Sequence, residues 1–211
     1  MEKPAPVPTK GLRGWMVRTR APFFAATVIP IVLGSVLAWV RTGRFHVLHF
    51  ALTLIGGVLI QAGANMINDY FDHASGADRR NRQAITPFTG GSPVLKLGLL
   101  EPNRVRNEAL AYFAVAAAIG FYLTWRASPW ILAVGTVGIL SAYLYTAALA
   151  PAGLGEFFLF LDFGPLMVLG AWLVQTGRLT WEPIWASLPV AFLIMNVLWI
   201  LGLTATITPI R

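Results

Sequence analysis

Six long apolar runs set the pattern of this chain. They cover about 21–40, 46–67, 106–125, 129–149, 154–174 and 184–208, and charged side chains collect in the gaps between them. Runs of roughly 18 to 25 apolar residues have the length of bilayer-spanning helices. They are too long for barrel strands, and lipid forces each span to satisfy its own backbone, so all six are predicted as helices. The first is no cleaved signal peptide: it is too long, lacks a small-residue cleavage site and is followed at once by another span. Pro30, Gly56, Gly57, Gly63, Gly164 and Pro165 fall inside spans. They are tolerable where neighbouring helices cover the backbone. The predicted fold class is therefore all-α, a polytopic transmembrane helix bundle. Its predicted parts are a tail over 1–20, one membrane domain over 21–208, and a polar loop over 68–105.

Composition agrees with this pattern. Of 211 residues, 56% are hydrophobic and only 12% charged, and mean hydropathy is +0.66. A soluble domain carries about twice that charged fraction. The absence of cysteine excludes disulfides and thiolate metal sites. A net charge of +7 would suit nucleic acid if it were clustered on one surface, but here it is divided among the gaps. We therefore expect no nucleic-acid partner and read the basic residues as topology determinants.

Lys3, Lys10, Arg13, Arg18, Arg20, Arg79, Arg80, Arg82, Lys96, Arg104, Arg106 and Arg211 fall to one side. Arg41, Arg44, Arg126 and Arg178 fall to the other, a division of twelve against four. The positive-inside rule then places the N-terminus and the long loop in the cytoplasm, beneath a cell inner (plasma) membrane.

The candidate chemistry sits where the second span ends, in NMINDYFDHASGAD (65–78). Asn65, Asp69 and Asp72 are spaced i, i+4, i+7 and share a face of a continued helix. Asn68 lies one turn from Asp72, and Asp78 follows a Ser-Gly break from which it can fold back. Crowded carboxylates repel unless a cation sits among them. Mg²⁺ suits such a set, because it takes hard oxygen ligands and is commonly held by one or two carboxylates plus substrate phosphates. The rival reading is an ordinary acidic loop. It must explain carboxylates at the end of an apolar span, where ionisable groups are costly unless they face a polar cavity.

Arg79, Arg80 and Arg82 follow directly, with Lys96 further on. Acids that hold a metal, beside Arg and Lys, suit a polyanion such as a diphosphate. Gly90–Gly91, flanked by Thr89 and Ser92, could present N–H groups to an anion and reads equally as a plain turn. No P-loop pattern is present. His46, His49 and His73 are scattered and make no metal set, and paired broken helices of the transporter kind are not evident.

The form NxxNDYFDxxxGxD, with Arg soon after, resembles the first aspartate-rich motif of the UbiA family of intramembrane prenyltransferases. Gly76 before Asp78 makes it most similar to the branch that prenylates 1,4-dihydroxy-2-naphthoate in menaquinone synthesis. RAPFFAATVIPIVLGSVLAW (20–39), TPFTGGSPVLKLGLLEP (86–102), SAYLYT (141–146) and GLGEFFLFLDFGPLMVLGAWLVQTG (153–177) are similar to further stretches of that branch.

The resemblance implies a membrane bundle in which aspartate-held Mg²⁺ binds a prenyl diphosphate. Ionisation gives an allylic cation, and an electron-rich ring attacks it. Carried across, Asn65, Asp69 and Asp72 are the catalytic metal–diphosphate face, and Asp78 completes the metal set. Asn68, Arg79, Arg82, Lys96 and Arg20 contact diphosphate. Tyr143, Tyr145, Phe157, Phe158 and Trp172 are available to face a cation. Glu156 either faces the site or caps a helix start. Asp162 stands where the family tends to carry an apolar residue and is left out of the catalytic set.

The partners implied are a prenyl diphosphate, an aromatic acceptor and the bilayer. The family also carries a second, DxxxD-type motif, expected from about residue 201. No Asp or Glu follows Glu182. The expectation is a truncated or frame-shifted product whose family sequence ends near Ile200, with 201–211 an aberrant tail. The alternative to the enzyme is thus a non-catalytic membrane fragment.

Overall fold

The computed structural model describes residues 7–76 and 93–207. Their regular structure is entirely helical, without a strand among the described residues. A short helix α1 (Gly11–Arg18) leads through a 3₁₀ turn (Ala21–Phe23) into α2 (Phe24–Thr42). Then come α3 (Val47–Ser75), the one-turn α4 (Pro93–Lys96), α5 (Pro102–Arg126) and α6 (Trp130–Leu144). The chain closes with α7 (Gly155–Leu161), α8 (Met167–Thr176) and α9 (Glu182–Ile207).

Five stretches are long and apolar enough to cross a bilayer: Ala21–Thr42, Val47–Ser75, Pro102–Arg126, Trp130–Leu149 and Gly155–Thr176. A shorter apolar helical stretch, Glu182–Val197, stands where the sixth span is predicted. The protein is a multi-pass integral membrane helix bundle. Large apolar side chains such as Trp125, Phe121 and Leu193 lie exposed on its flanks, as a lipid-facing surface requires.

Two of the predicted spans are not plain α-helices. The fourth ends in a π-helical turn, Tyr145–Leu149, and the fifth contains another, Asp162–Leu166, between α7 and α8. Pro165 lies within the second turn and brings no N–H to the helical ladder. Such wide turns re-aim the side chains that follow.

Packing relies on small residues, as expected where lipid competes with side chains for apolar contact. α3 packs most extensively on α5 and α2 on α8. Gly63 lets α3 approach α5 so closely that an added β-carbon would stand 3.1 Å from Phe113 and 3.2 Å from the Ala109 carbonyl. Gly34 brings α2 against the backbone of Val168, and Gly164 meets the β-carbon of Ala191. One buried cluster joins Met66 and Ile67 of α3, Leu95 of α4, and Val105, Ala109 and Phe113 of α5. A second joins Leu123, Ile131, Leu173 and Val174 towards the opposite end.

The two ends differ in their polar contacts. At one, Arg18 pairs with Glu108 at 3.0 Å, Tyr112 donates to Glu108 at 2.8 Å, and Trp15 Nε1 donates to Tyr112 at 3.0 Å. These contacts bind α1 to α5 beside the acidic end of α3. At the other, Arg41 pairs with Glu182 at 3.2 Å, and Gln175 bonds both the N–H (2.8 Å) and the carbonyl (3.1 Å) of His46. Residues before Ala21, the end of α3 and the start of α5 thus share one end of the bundle, the grouping that the distribution of basic residues predicts.

Candidate active site

The helix of the second span does not stop at the membrane boundary. It continues through the acidic motif to Ser75 and ends on Gly76, whose φ of 73° is a left-handed cap that glycine adopts at little cost. The polar loop therefore begins at Gly76 rather than at residue 68. Asn65, Asn68, Asp69 and Asp72 all project from α3, within about two turns of one another.

They do not all meet the same neighbours. Asn65 and Asn68 line a partly open cavity of about 560 Å³ between the helices. Asp69 is only 1% exposed and forms an ion pair with Arg20. Asn65 Nδ2 donates to the carbonyl of Thr19 at 2.7 Å, and its Oδ1 accepts from Gln61 at 3.2 Å. Gln61 in turn accepts from Thr27 of α2 at 3.3 Å. Asn68 accepts a hydrogen bond from Thr146, in the π-helical end of the fourth span.

Arg20 is the one non-glycine residue among those described with a left-handed backbone, at φ 51°. That conformation costs roughly 1–2 kcal/mol for an L-residue. It turns the chain from α1 into α2 and sets the guanidinium on Asp69 and against the cavity wall. The sequence places Arg20 on the diphosphate; the structure shows it engaged with Asp69. Asn68, expected beside the carboxylates, is held by Thr146. Lys96 closes α4 at this same end. Asp78, Arg79, Arg82 and the Gly90–Gly91 pair lie outside the described residues. Glu156 is exposed in the first turn of α7, where a carboxylate suits the helix dipole.

Of the aromatic residues singled out from the sequence, Tyr145 lines the cavity. Tyr143 packs edge-on against Phe71 at 5.9 Å and Phe113 at 6.4 Å, within the core. Trp172 is buried and donates to the Arg178 carbonyl at 2.8 Å, at the far end of the bundle. Phe157 is 58% exposed. Phe23, the first phenylalanine of the RAPFF run, lines the cavity and was not anticipated. The same is true of Gln61, whose amide continues the Asn65–Asn68 face by one turn.

From Asn68 the cavity runs along α3 as far as Leu52, about 24 Å of helix. Arg20, Gln61, Asn65 and Asn68 form a polar group at one end, and the walls below them are largely apolar, with Thr53, Thr136 and Asp162 among them. The shape suits a ligand with one anionic head and a long hydrocarbon tail.

The sequence pattern of the UbiA prenyltransferase family matches residues 27–205. The chain belongs to the UbiA prenyltransferase family. It is 30% identical to the 1,4-dihydroxy-2-naphthoate octaprenyltransferase of Bacillus subtilis, over 83% of this chain and 55% of that protein. It is 31% identical to the enzyme of the same name from Mycobacterium tuberculosis, over 79% of this chain and 56% of that one. To the 2-carboxy-1,4-naphthoquinone phytyltransferase of Synechocystis it is 30% identical, over 80% and 53%. The chain thus spans about half the length of the curated relatives it matches.

UbiA prenyltransferases generally use a divalent metal. Two carboxylates and two amide oxygens on one stretch of α3 are hard oxygen donors of the kind such an ion takes. Among the described residues, no three His, Cys, Asp or Glu side chains converge closely enough to hold a metal by themselves. The described donors therefore fit a cation that takes part of its shell from amide oxygens, water or substrate phosphate, as Mg²⁺ commonly does.

Proposed function

We propose that this chain binds a polyprenyl diphosphate at the Asn65–Asp72 face of α3 and transfers the prenyl group to an aromatic acceptor. The acceptor class is that of 1,4-dihydroxy-2-naphthoate, in menaquinone or related quinone biosynthesis. The observation that carries this reading is the junction of two unlike surfaces. The amide row of Asn65 and Asn68, beside buried Asp69 and Arg20, opens directly onto a long apolar cavity.

Asn65, Asp69 and Asp72, with Asp78, would hold Mg²⁺, which when bound supplies positive charge against the departing diphosphate. The chain's own residues bind, orient and exclude water. Lys96, with Arg79 and Arg82, supplies further positive charge for the phosphate oxygens. Arg20 fixes Asp69, and the Asn65–Thr19 bond fixes the turn that carries Arg20. The cavity receives the isoprenoid tail and keeps water from the allylic carbon, which would otherwise be hydrolysed. Tyr145 and Phe23 line the cavity near its head, where aromatic rings would stabilise the positive charge that develops on that carbon. In transfer, the bond from the allylic carbon to the diphosphate oxygen breaks, and its electron pair leaves with the diphosphate. A ring carbon of the acceptor supplies the electron pair of the new bond and then loses the group it carried, a proton to water or a carboxylate as CO₂, which restores the aromatic ring. The site, with the N-terminus, faces the cytoplasm across the plasma membrane.

The test is transfer from labelled geranylgeranyl diphosphate to 1,4-dihydroxy-2-naphthoate by the purified chain in nanodiscs. The expected result is Mg²⁺-dependent product that falls about 100-fold or more in Asp69→Asn and Asp72→Asn. Mg²⁺-dependent diphosphate binding without product would restrict the chain to the donor-binding half of the reaction. The absence of both would overturn the reading.

A further inference from the structure

Asp162 is an acid within a membrane span that the diphosphate chemistry does not use. It opens the π-helical turn Asp162–Leu166 and lines the same cavity as Asn65 and Asn68. Ser141, buried on α6, places its Oγ 2.9 and 2.8 Å from the two carboxylate oxygens and 3.0 Å from the Gly138 carbonyl. A serine hydroxyl has one proton. It can satisfy one of those three acceptors at a time, so acceptor capacity on the cavity wall exceeds the donors that the described residues bring to it. A carboxyl group at this depth is costly unless polar groups meet it. Whichever way the Ser141 proton points, and whether or not the carboxyl group is ionised, an oxygen remains able to accept a hydrogen bond.

We propose that Asp162 and Ser141 form a subsite that takes a phenolic hydroxyl of the aromatic acceptor. Position and shape both select that ligand. Ser141 precedes Tyr145 by four residues, about 6 Å along the helix, and Tyr145 adjoins Thr146, which holds Asn68. The subsite therefore lies about one helical turn below the head of the cavity. A ring must come to about that level to meet the first carbon of a tail whose diphosphate rests at Asn65–Asn68. The isoprenoid tail has no hydrogen-bond donor to offer a carboxylate, and a diphosphate would be repelled by it. Phe163 and Tyr145 stand beside the subsite on the cavity wall and suit a flat ring. Asp162 is thus a specificity-determining residue: it selects acceptors that carry a free hydroxyl.

This inference rests on the prenyl-transfer reading for its ligand class, and its test needs no turnover. Binding of 1-naphthol and of 1-methoxynaphthalene, which lacks the donor, is measured on the full chain in nanodiscs, against empty nanodiscs. The intact chain should prefer 1-naphthol by about tenfold, the value of one buried hydrogen bond. Asp162→Leu should remove the preference and leave methoxynaphthalene binding unchanged. The near-isosteric Asp162→Asn, which keeps one acceptor, should retain part of it and guards against a folding artefact in the leucine variant. Equal binding of the two probes by the intact chain, or an undiminished preference in Asp162→Leu, overturns the proposal. If the naphthol preference depends on Asp162 but no prenyl transfer occurs, the transfer reading alone fails. If transfer occurs without the preference, this inference alone fails.

Discussion

The side-chain amide of Asn65 donates to the backbone carbonyl of Thr19 at 2.7 Å. One residue further along the turn and four residues, about one helical turn, further along α3, Arg20 meets Asp69. Two consecutive residues of the turn between α1 and α2 are thereby pinned to successive turns of α3. The turn holds a left-handed arginine, a conformation that persists only when its surroundings over-determine it. These two contacts do so, and they fix the cation and carboxylate of the candidate site relative to the cavity.

Asn65→Ala should therefore be damaging twice. Thr19 is fully buried, so its carbonyl would lose its partner at a cost of about 1–3 kcal/mol. The same change removes an oxygen from the diphosphate face. Thr27→Val, at the outer end of the Thr27–Gln61–Asn65 relay, loses one interhelical bond, worth about 0.6 kcal/mol in a membrane bundle. Unfolding in detergent should separate the two variants clearly. Prenyl diphosphate binding should weaken in Asn65→Ala and stay within about twofold in Thr27→Val.

The Arg20–Asp69 pair predicts a different signature. Both side chains are largely hidden from solvent, at 12% and 1% exposure. Removing one partner from a buried pair leaves a charge uncompensated and costs about 3–5 kcal/mol. Arg20→Met alone should lower the unfolding temperature strongly. Arg20→Met with Asp69→Asn should recover much of the loss, because no buried charge remains. A double variant no more stable than Arg20→Met would show that the pair is not the source of the effect.

Helix packing offers a compensation test read by stability alone. A β-carbon on Gly164 collides with the β-carbon of Ala191. Gly164→Ala should destabilise by about 1–3 kcal/mol, the range for overpacking, and Ala191→Gly in the same chain should restore most of it. Gly34→Ala meets the backbone of Val168 as well as the side chain of Ala171. Ala171→Gly should rescue it far less. Thermal unfolding of the four variants reads both outcomes.

The spans were legible because lipid imposes one rule on every residue inside it, and the observed helices depart from the predicted runs by a few residues at most ends; the exception is α3, which runs eight residues past the predicted end at 67. The acidic face of α3 was legible for a similar reason: i, i+4 and i+7 leave little choice of geometry once the helix is granted. What escaped the sequence depends on tertiary placement. The resemblance puts Arg20 on the diphosphate, and only the turn before α2 brings it to Asp69. Tyr143 and Tyr145 are two apart, so on a helix they face different ways, and nothing local says which of them meets the cavity. The π-helical turns had a partial signal in Gly164–Pro165 and none at Tyr145–Leu149. Asp162 was visible as a buried acid, but its meaning comes from Ser141 and the cavity.

Magnesium dependence should separate the two aspartates. A ligand that binds the folded chain raises its stability by RT ln(1 + [L]/Kd), so unfolding with and without geranylgeranyl diphosphate reports binding directly. In the intact chain that stabilisation should need Mg²⁺ and vanish on chelation with EDTA. Asp72 lies half-buried one turn beyond Asp69. Asp72→Asn should leave the unliganded unfolding temperature nearly unchanged and raise the Mg²⁺ concentration needed for half-maximal stabilisation about tenfold or more. Asp69→Asn should do both harms: it weakens the metal response and leaves Arg20 buried without its counter-ion, so the unliganded chain is also less stable. Identical behaviour of the two variants would contradict the proposed division of labour, in which Asp69 both anchors Arg20 and shares the metal ion with Asp72.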